Sequence, residues 1–487
     1  MTSFSTLHAT QKKIAMLALA GFAFLYFICS AGINGSNDGS HFALAKAVYQ
    51  NQTTEVKPFF KYIKCCDFAE KDGKIYSDRL PGTALLMLPF LAYAQLMESI
   101  GLHNLGNFYE SDVVAISLLP NICAVISLVL LFLLYRQSGF GIELAFASTV
   151  IYGLATLHWL EATHAFSHMP SAMLILLAFY YTANVKDIQK NQKAILLITA
   201  IISFSSLIEL QNILFLAPFY LYLFYNSTNR DYKNWVLMLA KSAVVAAFFV
   251  GCLLLYNYVT FGELILKSNT YNPNFPEEKT LATSLGGNFI LGLDKLLTSF
   301  SNIEVYYKWY KGRNNDTPGI FVSSPVMLVS LAGYFLFIKK ERSKALLFIS
   351  MIVISILIAA FHKTTLTRHI FTITPFFFFP FIYVLQAIWQ SKTYRLIGLS
   401  VIGTIVLLSM MRIFYINVTY WEHGVKGFPR YLTELPFFFA FYIPLITFLV
   451  LWRTAHHLNW FSNIYNIFPI IKVVHPAASE SSEKEKP

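Results

Sequence analysis

The chain has 487 residues and a formal net charge of +11; 56% of its residues are apolar, 13% are charged, and its mean hydropathy is +0.54. Soluble domains are about 25% charged and about 45–50% apolar, so this composition excludes a soluble, disordered or fibrous protein. Because segments in lipid must satisfy their own backbone hydrogen bonds, it predicts an all-α polytopic membrane protein. Most of the positive charge then reports topology and gives no reason to expect a nucleic-acid partner.

Transmembrane helices are predicted where apolar runs of about 17–25 residues contain few charges. The first run has no small-residue cleavage site, so we interpret it as a retained span and not as a signal peptide. The pattern predicts about twelve spans, at residues 14–33, 113–135, 142–160, 169–184, 194–209, 212–225, 235–258, 320–338, 345–361, 369–388, 396–415 and 434–452.

The run 82–97 is ambiguous, because Pro89 lies at its centre and it is barely long enough to span. These two features favour a helix on the membrane surface, which gives twelve spans and two cytoplasmic termini. If the run spans instead, the N-terminus lies outside and the loop 34–81 becomes cytoplasmic. The positive-inside rule alone allows either arrangement.

Two long segments, 34–112 and 259–319, lie on the noncytoplasmic face in the favoured arrangement. Long loops in compact proteins are usually functional or disordered. The five cysteines show neither a metal-ligand spacing nor a disulfide framework, although Cys65 and Cys66 are adjacent in the first segment. The end of the chain, within 461–487, is predicted to be a cytoplasmic and partly disordered tail.

Asp38 is the first candidate for chemistry, in the sequence Asn34-Gly-Ser-Asn-Asp38-Gly-Ser-His41 after the first span. An acidic side chain between glycines, close to the lipid boundary, can meet a membrane-borne substrate. The alternative is that Asp38 or Ser40 caps the next helix.

Asp78 and Arg79 stand at the start of the ambiguous helix, just before Pro81. A helix N-terminus attracts anions, and an adjacent arginine adds a bidentate phosphate donor. The alternative is ordinary capping, with proline in the first turn.

His164 and His168 lie between the third and fourth predicted spans and are four residues apart. If the segment is helical, they share one face, which suits a metal or a proton relay; alternatively they satisfy backbone groups near the interface. Glu209, between two short spans, is a functional candidate because an ionisable group is costly so close to hydrocarbon. Alternatively, Glu209 has no function and simply lies in the outer headgroup layer.

Lys363 and Arg368 are basic residues on a face where the charge rule expects few. A lipid phosphate is the obvious anionic partner, and nonspecific headgroup attraction is the alternative. Together the candidates supply what glycosyl transfer from a lipid-linked phosphosugar needs. The catalytic candidates are Asp38, Asp78, Glu209 and His168, and the candidate ligands of the donor phosphate are Arg79, His164, Lys363 and Arg368. A carboxylate takes the acceptor's proton, and cations or a metal stabilise the departing phosphate.

An ordered set of motifs resembles the GT-C class of polyprenyl-phosphate-sugar-dependent membrane glycosyltransferases. Within that class the chain is most similar to bacterial relatives of protein O-mannosyltransferases and of the lipid A aminoarabinose transferase. The resemblance covers roughly residues 14–390. The matching segments are Asn37-Asp38-Gly39-Ser40 with Ala43–Val48, Tyr76–Leu86 with Pro89, Ala165–His168, Leu207–Glu209, Pro318–Pro325, and Thr367-Arg368-His369 with Pro375.

The resemblance implies an inverting transferase of the bacterial inner membrane that acts at the extracytoplasmic face. Its donor would be a polyprenyl-phosphate sugar and its acceptor a hydroxyl of a glycan, lipid or protein, with Asp38 as general base. It also implies juxtamembrane helices at 40–50 and 82–97. Residues 1–390 would form the catalytic module, and 391–460 would carry C-terminal helices related to the acceptor.

Two departures from the family pattern bear on the site. His168 stands where aminoarabinose transferases have a second aspartate, and an Asp-x-Asp pair is absent. Asp78 or Glu209 then becomes the candidate second carboxylate. A divalent cation (Mg or Mn) is left open, with Asp38, His164 and His168 as candidate ligands. The rival functions are a flippase or transporter for lipid-linked glycans and a polysaccharide polymerase or ligase.

Overall fold

The computed structural model describes residues 9–419, apart from 31, 34, 101–109, 188, 229–230, 277–278 and 302–317. Helices dominate these residues, and short 3-10 turns join some of them, as at Leu210–Phe215 and Thr367–Ile373. The helices are α1 (Ala9–Ile28), α2 (Ser36–Asn51), α3 (Phe60–Ile63), α4 (Pro81–Ser99), α5 (Ser111–Ile116), α6 (Leu118–Gln137), α7 (Ile142–Ala155), α8 (Leu157–Ala162), α9 (His168–Thr182), α10 (Gln192–Ser205), α11 (Leu216–Asn226), α12 (Tyr232–Phe261), α13 (Leu281–Ser284), α14 (Phe289–Leu297), α15 (Ile320–Ser323), α16 (Val326–Lys340), α17 (Arg342–Phe361), α18 (Thr374–Phe378), α19 (Phe381–Gln390) and α20 (Arg395–Thr419).

Five helical stretches of the described chain are long and apolar enough to cross a membrane. This confirms a mostly helical protein and gives five candidate membrane helices, whereas the number twelve stays a prediction. The run 82–97 lies within α4, which is not one of the five, and the predicted span 434–452 and the tail lie outside the described residues. The five stretches are Ser111–Gln137, Tyr232–Phe261, Arg342–Phe361, Thr367–Gln390 and Arg395–Phe414.

Phenylalanine side chains fill the core of the bundle. The rings of Phe179 and Phe348 meet edge to face with centroids 4.8 Å apart, and Phe376 packs on Phe348 at 5.0 Å in the same manner. Such aromatic pairs contribute about 0.5–1.5 kcal/mol beyond the burial of their area. The high phenylalanine content therefore builds a core from α9, α17 and α18.

A β-hairpin interrupts the first long loop, so the all-α expectation is wrong there. Strands β1 (Phe68–Lys71) and β2 (Lys74–Ser77) pair antiparallel. Asp72 and Gly73 between them have φ of 53° and 75°, the left-handed values that a two-residue hairpin turn of the Asp-Gly type requires. The hairpin leads directly into α4.

Cys65 and Cys66 are joined by a disulfide, which the cysteine spacing did not predict. The backbone turns sharply beside the pair, with a φ of 65° at Lys64. The turn is tied to the start of α2, because the Oγ of Ser36 accepts hydrogen bonds from the N–H groups of Cys66 (3.0 Å) and Asp67 (2.7 Å).

Two glycines let backbone segments of the first loop approach their neighbours closely. A methyl group at Gly39 would overlap the carbonyl oxygen of Tyr62, and one at Gly82 would lie 2.6 Å from the carbonyl of Leu207. The N–H of Gly82 donates to that Leu207 oxygen at 2.8 Å. The start of α4 is thereby fixed beside the segment that carries Glu209.

Candidate functional site

Asp38 is fully buried in the first turn of α2. Its Oδ1 accepts hydrogen bonds from the backbone N–H groups of Gly35 (2.7 Å) and Gly39 (3.0 Å). The residue therefore caps the helix, as one of the alternatives proposed, but from the third helical position and not as a solvated N-cap. The two backbone donors fix the orientation of the carboxylate.

Asp78 and Arg79 form a buried polar junction at the entry to α4. Oδ2 of Asp78 accepts from the side-chain amide of Asn272 at 2.7 Å, and its Oδ1 lies 3.2 Å from Nε of Arg79. The guanidinium of Arg79 also pairs with Asp67. Two protein carboxylates thus compensate the charge of Arg79, and its predicted contact with a donor phosphate stays a prediction.

His168 and Glu209 form a buried pair. Nδ1 of His168 lies 2.5 Å from Oε1 of Glu209, which also accepts from the hydroxyl of Ser167 at 3.0 Å. The amide of Gln211 donates to Oε2 at 3.0 Å. Glu209 is therefore held by several donors and in turn holds the imidazole of His168.

His164 and His168 do not share a helix face, because the segment that joins them is not helical as that interpretation required. Helix α8 ends at Ala162 and α9 begins at His168, with Pro170 in its first turn, where proline favours a helix start. Nδ1 of His164 lies 2.7 Å from the carbonyl oxygen of Leu160. The two histidines consequently have different partners.

Burial and neighbouring charges shift the pKa values of the ionisable groups around the His168–Glu209 pair. Burial by itself lowers the pKa of His168, but the carboxylates of Glu209 and Glu161 outweigh it, and the pKa is raised. Burial raises the pKa of Glu161 and lowers that of His164 to about 4. Burial, followed by the charges of Arg79 and His168, lowers the pKa of His41 well below its usual range.

Arg368 joins this cluster, whereas Lys363 does not. The guanidinium of Arg368 lies 5.3 Å from the ring centre of Phe166, and its charge acts on Glu161, His164 and His168. Lys363 is exposed, and its backbone N–H donates to the carbonyl of Ser284 at 3.0 Å. Within the described residues, no hydrogen bond or ion pair joins its side chain to the other predicted site residues.

Three further residues of the site were missed from the sequence. His41 follows Asp38 by three residues, a helical spacing that places both on one face and could have revealed it. Glu161 lies three residues before His164, and no role was assigned to it from the sequence. Asn272 comes from the second long loop, and no sequence pattern pointed to it.

The predicted metal ligands do not form a metal centre. Across the part of the chain that the structure describes, no group of three or more His, Cys, Asp or Glu side chains could hold an ion. Asp38 caps a helix, His164 faces a carbonyl, and His168 pairs with Glu209. These residues therefore do not fit a bound cation, and we derive no step through one.

No protein-family model matches the chain, and no curated protein is significantly similar to it. Among solved structures, ArnT from Cupriavidus metallidurans, bound to undecaprenyl phosphate, is similar with a TM-score of 0.53 and 11% identity, over 87% of this chain and 79% of that one. The archaeal oligosaccharyltransferase AglB from Archaeoglobus fulgidus, in complex with an inhibitory peptide and a dolichol-phosphate, gives 0.48 and 13%, over 85% of this chain. This chain spans 56% of the AglB chain. The similarity to ArnT supports the GT-C fold for this protein, without indicating a particular member of that class.

Proposed function

We propose that the protein is an integral membrane glycosyltransferase that moves a sugar from a polyprenyl-phosphate-linked donor to an acceptor hydroxyl. The observation that carries the proposal is the burial of Asp38 at the start of α2, in a GT-C fold, on the helix whose His41 faces the charged cluster of His168, Glu209 and Arg368. The undecaprenyl phosphate bound by ArnT supports a polyprenyl donor.

The reaction we propose is an inverting displacement at the anomeric carbon. The acceptor oxygen forms a bond to that carbon while the bond from carbon to phosphate oxygen breaks, and polyprenyl phosphate leaves. Asp38 takes the acceptor's proton, a step that contributes about 10²–10⁴-fold in such reactions. The backbone donors Gly35 and Gly39 hold its carboxylate in position.

Arg368 is assigned to the phosphate that departs. A fixed guanidinium stabilises the charge that develops on the leaving oxygen, and its stacking on Phe166 restricts its motion. The protonated His168, held by Glu209, adds a second positive group beside it. Lys363 is assigned to the same lipid headgroup from the rim, since it is exposed.

The site is assigned to the extracytoplasmic face of a bacterial inner membrane, with cytoplasmic termini. The acceptor is a hydroxyl of a glycan, a lipid or a protein, and membrane lipids surround the bundle. The second carboxylate of the family is assigned to Glu209, because it lies in the cluster of His168 and Arg368, whereas Asp78 pairs with Arg79 and Asn272.

The test is transfer by purified protein from a panel of polyprenyl-phosphate sugars, with wild type compared with Asp38→Asn. We expect transfer with inversion by wild type and a loss of about 10²–10⁴-fold in the variant. Asp187→Asn is the matched control, because Asp187 also accepts backbone N–H bonds, in a turn far along the chain from this site. Unchanged transfer in Asp38→Asn overturns the mechanism, and no transfer from any donor overturns the function.

A further inference from the structure

Three buried side chains around the cluster leave polar atoms without a hydrogen-bond partner in the described part of the chain. The atoms are Nδ1 of His41, Oγ1 of Thr83 and Nε2 of His168. The residues are 2%, 0% and 6% exposed, respectively. Buried polar groups in native proteins are nearly always hydrogen-bonded, so three such atoms in one region point to a ligand that satisfies them.

The fold brings these three residues together through short links between backbone segments. The hydroxyl of Ser40, next to His41, lies 2.8 Å from the hydroxyl of Ser77 at the end of β2. Six residues later, Thr83 follows Gly82, whose N–H is bonded to Leu207. Glu209, two residues beyond that contact, holds His168.

Electrostatics agrees with this placement of the histidines. The charge of His168 acts on His41, so the two rings lie within range of each other. The site is thus bounded by α2, by the first turn of α4 and by the start of α9. Asp38 lies on α2 one turn before His41, which places the general base of the proposed reaction beside these atoms.

Two of the cations at this place are paired with carboxylates of the protein. Arg79 pairs with Asp67 and Asp78, and His168 pairs with Glu209. The three unpartnered atoms offer a ligand hydrogen-bonding capacity: an N–H at Nε2 of His168, a hydroxyl of Thr83 that both donates and accepts, and a neutral imidazole nitrogen at His41. This set matches the hydroxyl groups of a sugar.

We propose that His41, Thr83 and His168 form the subsite for the transferred sugar, and that this subsite takes an uncharged sugar. A sugar ammonium or a sugar carboxylate would add a net charge to a buried site in which the cations of Arg368 and His168 already face the carboxylates of Glu209 and Glu161. Burying an uncompensated charge is far more costly than burying a hydroxyl that finds a partner. The inference rests on the proposed function and assigns its substrate class.

The experiment offers wild-type protein three donors on the same polyprenyl monophosphate: a neutral hexose, a 4-amino-pentose and a hexuronic acid. We expect the hexose to be preferred by at least about 100-fold in kcat/KM, since buried polar groups reject a mismatched analogue strongly. A deoxy-hexose series, lacking one hydroxyl at a time, then identifies the groups that the subsite binds.

The variants Thr83→Val and His41→Ala test the named residues. Each is expected to raise KM for the hexose donor about 10-fold or more, and to lose discrimination against one deoxy-hexose. Binding of polyprenyl monophosphate without a sugar is expected to be unchanged. Thr83→Ser keeps the hydroxyl and is expected to keep the wild-type KM, which separates lost contact from misfolding. Tyr49→Phe is the control on the same helix, since its hydroxyl bonds Gln95 away from the site.

The outcomes are distinguishable. Preference for the amino or the acidic sugar overturns the uncharged subsite but leaves glycosyl transfer standing. The assignment of His41 and Thr83 is overturned if their variants fold and bind polyprenyl monophosphate but keep the wild-type KM and the wild-type discrimination among deoxy-sugars. Absence of transfer by wild type from all three donors, and from the wider panel, overturns the proposed function and the subsite with it.

Discussion

Nδ1 of His168 lies 2.5 Å from Oε1 of Glu209, and only 8% of each side chain is exposed. A buried ion pair adds little to stability relative to apolar residues, but losing one partner leaves the other charge unpaired at a cost of about 3–5 kcal/mol. Removing only one member of the pair is therefore the informative change.

We expect Glu209→Gln to lower the free energy of unfolding by about 3 kcal/mol, because the His168 imidazolium then loses its buried counter-charge. Thermal unfolding in detergent measures this. The double variant His168→Gln with Glu209→Gln is the control and is expected to regain part of the loss, since neither charge remains. If Glu209→Gln unfolds at the wild-type temperature, the two side chains are not an ion pair in the folded protein.

A pH dependence of stability follows from the raised pKa of His168. A histidine whose pKa is higher in the folded than in the unfolded state stabilises the protein fully below its unfolded pKa, about 6.5. That stabilisation is lost as the pH rises through the folded pKa. The raised pKa of Glu161 acts in the same direction but from about pH 4.3 upward, where its unfolded form ionises.

We therefore expect the Tm to fall as the pH rises above about 6.5. In His168→Gln the Tm is expected to change less across the same window, because the titrating group is gone. A Tm that rises from pH 6.5 to 9 in wild type, and does so equally in the variant, contradicts the assignment.

Gly39→Ala is expected to displace the start of α2. It should lower the rate of sugar transfer strongly and have a smaller effect on the stability of the fold. The added methyl group overlaps the carbonyl of Tyr62, so the backbone beside Asp38 must move. Positioning errors near 1 Å can cost about 10²-fold in rate. Gly251→Ala in α12 is the matched control, because an added methyl group there meets no atom within 4 Å. Equal activity of the two variants would argue against a tight contact at Gly39.

Asn272→Ala is expected to loosen the contact between the two long loops. The Asn272 amide donates to Asp78 (2.7 Å) and to the carbonyl of Cys66 (2.9 Å), and its loss removes the donor to Oδ2 of the buried Asp78 carboxylate. The expected cost is about 1–3 kcal/mol. Limited proteolysis of both loops measures it, and Asn274→Ala is the control, because Asn274 is exposed and bonds the same Cys66 carbonyl at 3.2 Å. Equal cleavage of the two variants would show that Asn272 does not join the loops.

The helix that contains Asp38 and the helix that follows Arg79 were expected from the resemblance to the GT-C class, and the second of them also from its apolar run. The expected juxtamembrane helices at 40–50 and 82–97 lie within Ser36–Asn51 and Pro81–Ser99. The hairpin was missed although Asp72-Gly73 is a turn signal, since its strands have only four residues each and no clear alternation.

The pairing of the polar residues was not predictable in the same way. His168 and Glu209 are 41 residues apart and meet because the start of α9 lies beside the turn that follows α10. Asp78 and Asn272 are separated by 194 residues. Spacing patterns describe one helix or strand at a time, so contacts between distant segments of this kind depend on the packing of the whole bundle.

The contacts of Gly39 with Tyr62 and of Gly82 with Leu207 are made by main-chain atoms. A main-chain contact does not change length when side chains around it rotate or are exchanged. The outward-facing residues of the first loop can therefore be replaced while these two main-chain contacts, and with them the position of Asp38, are kept. Engineering of this protein should vary that surface and keep both glycines.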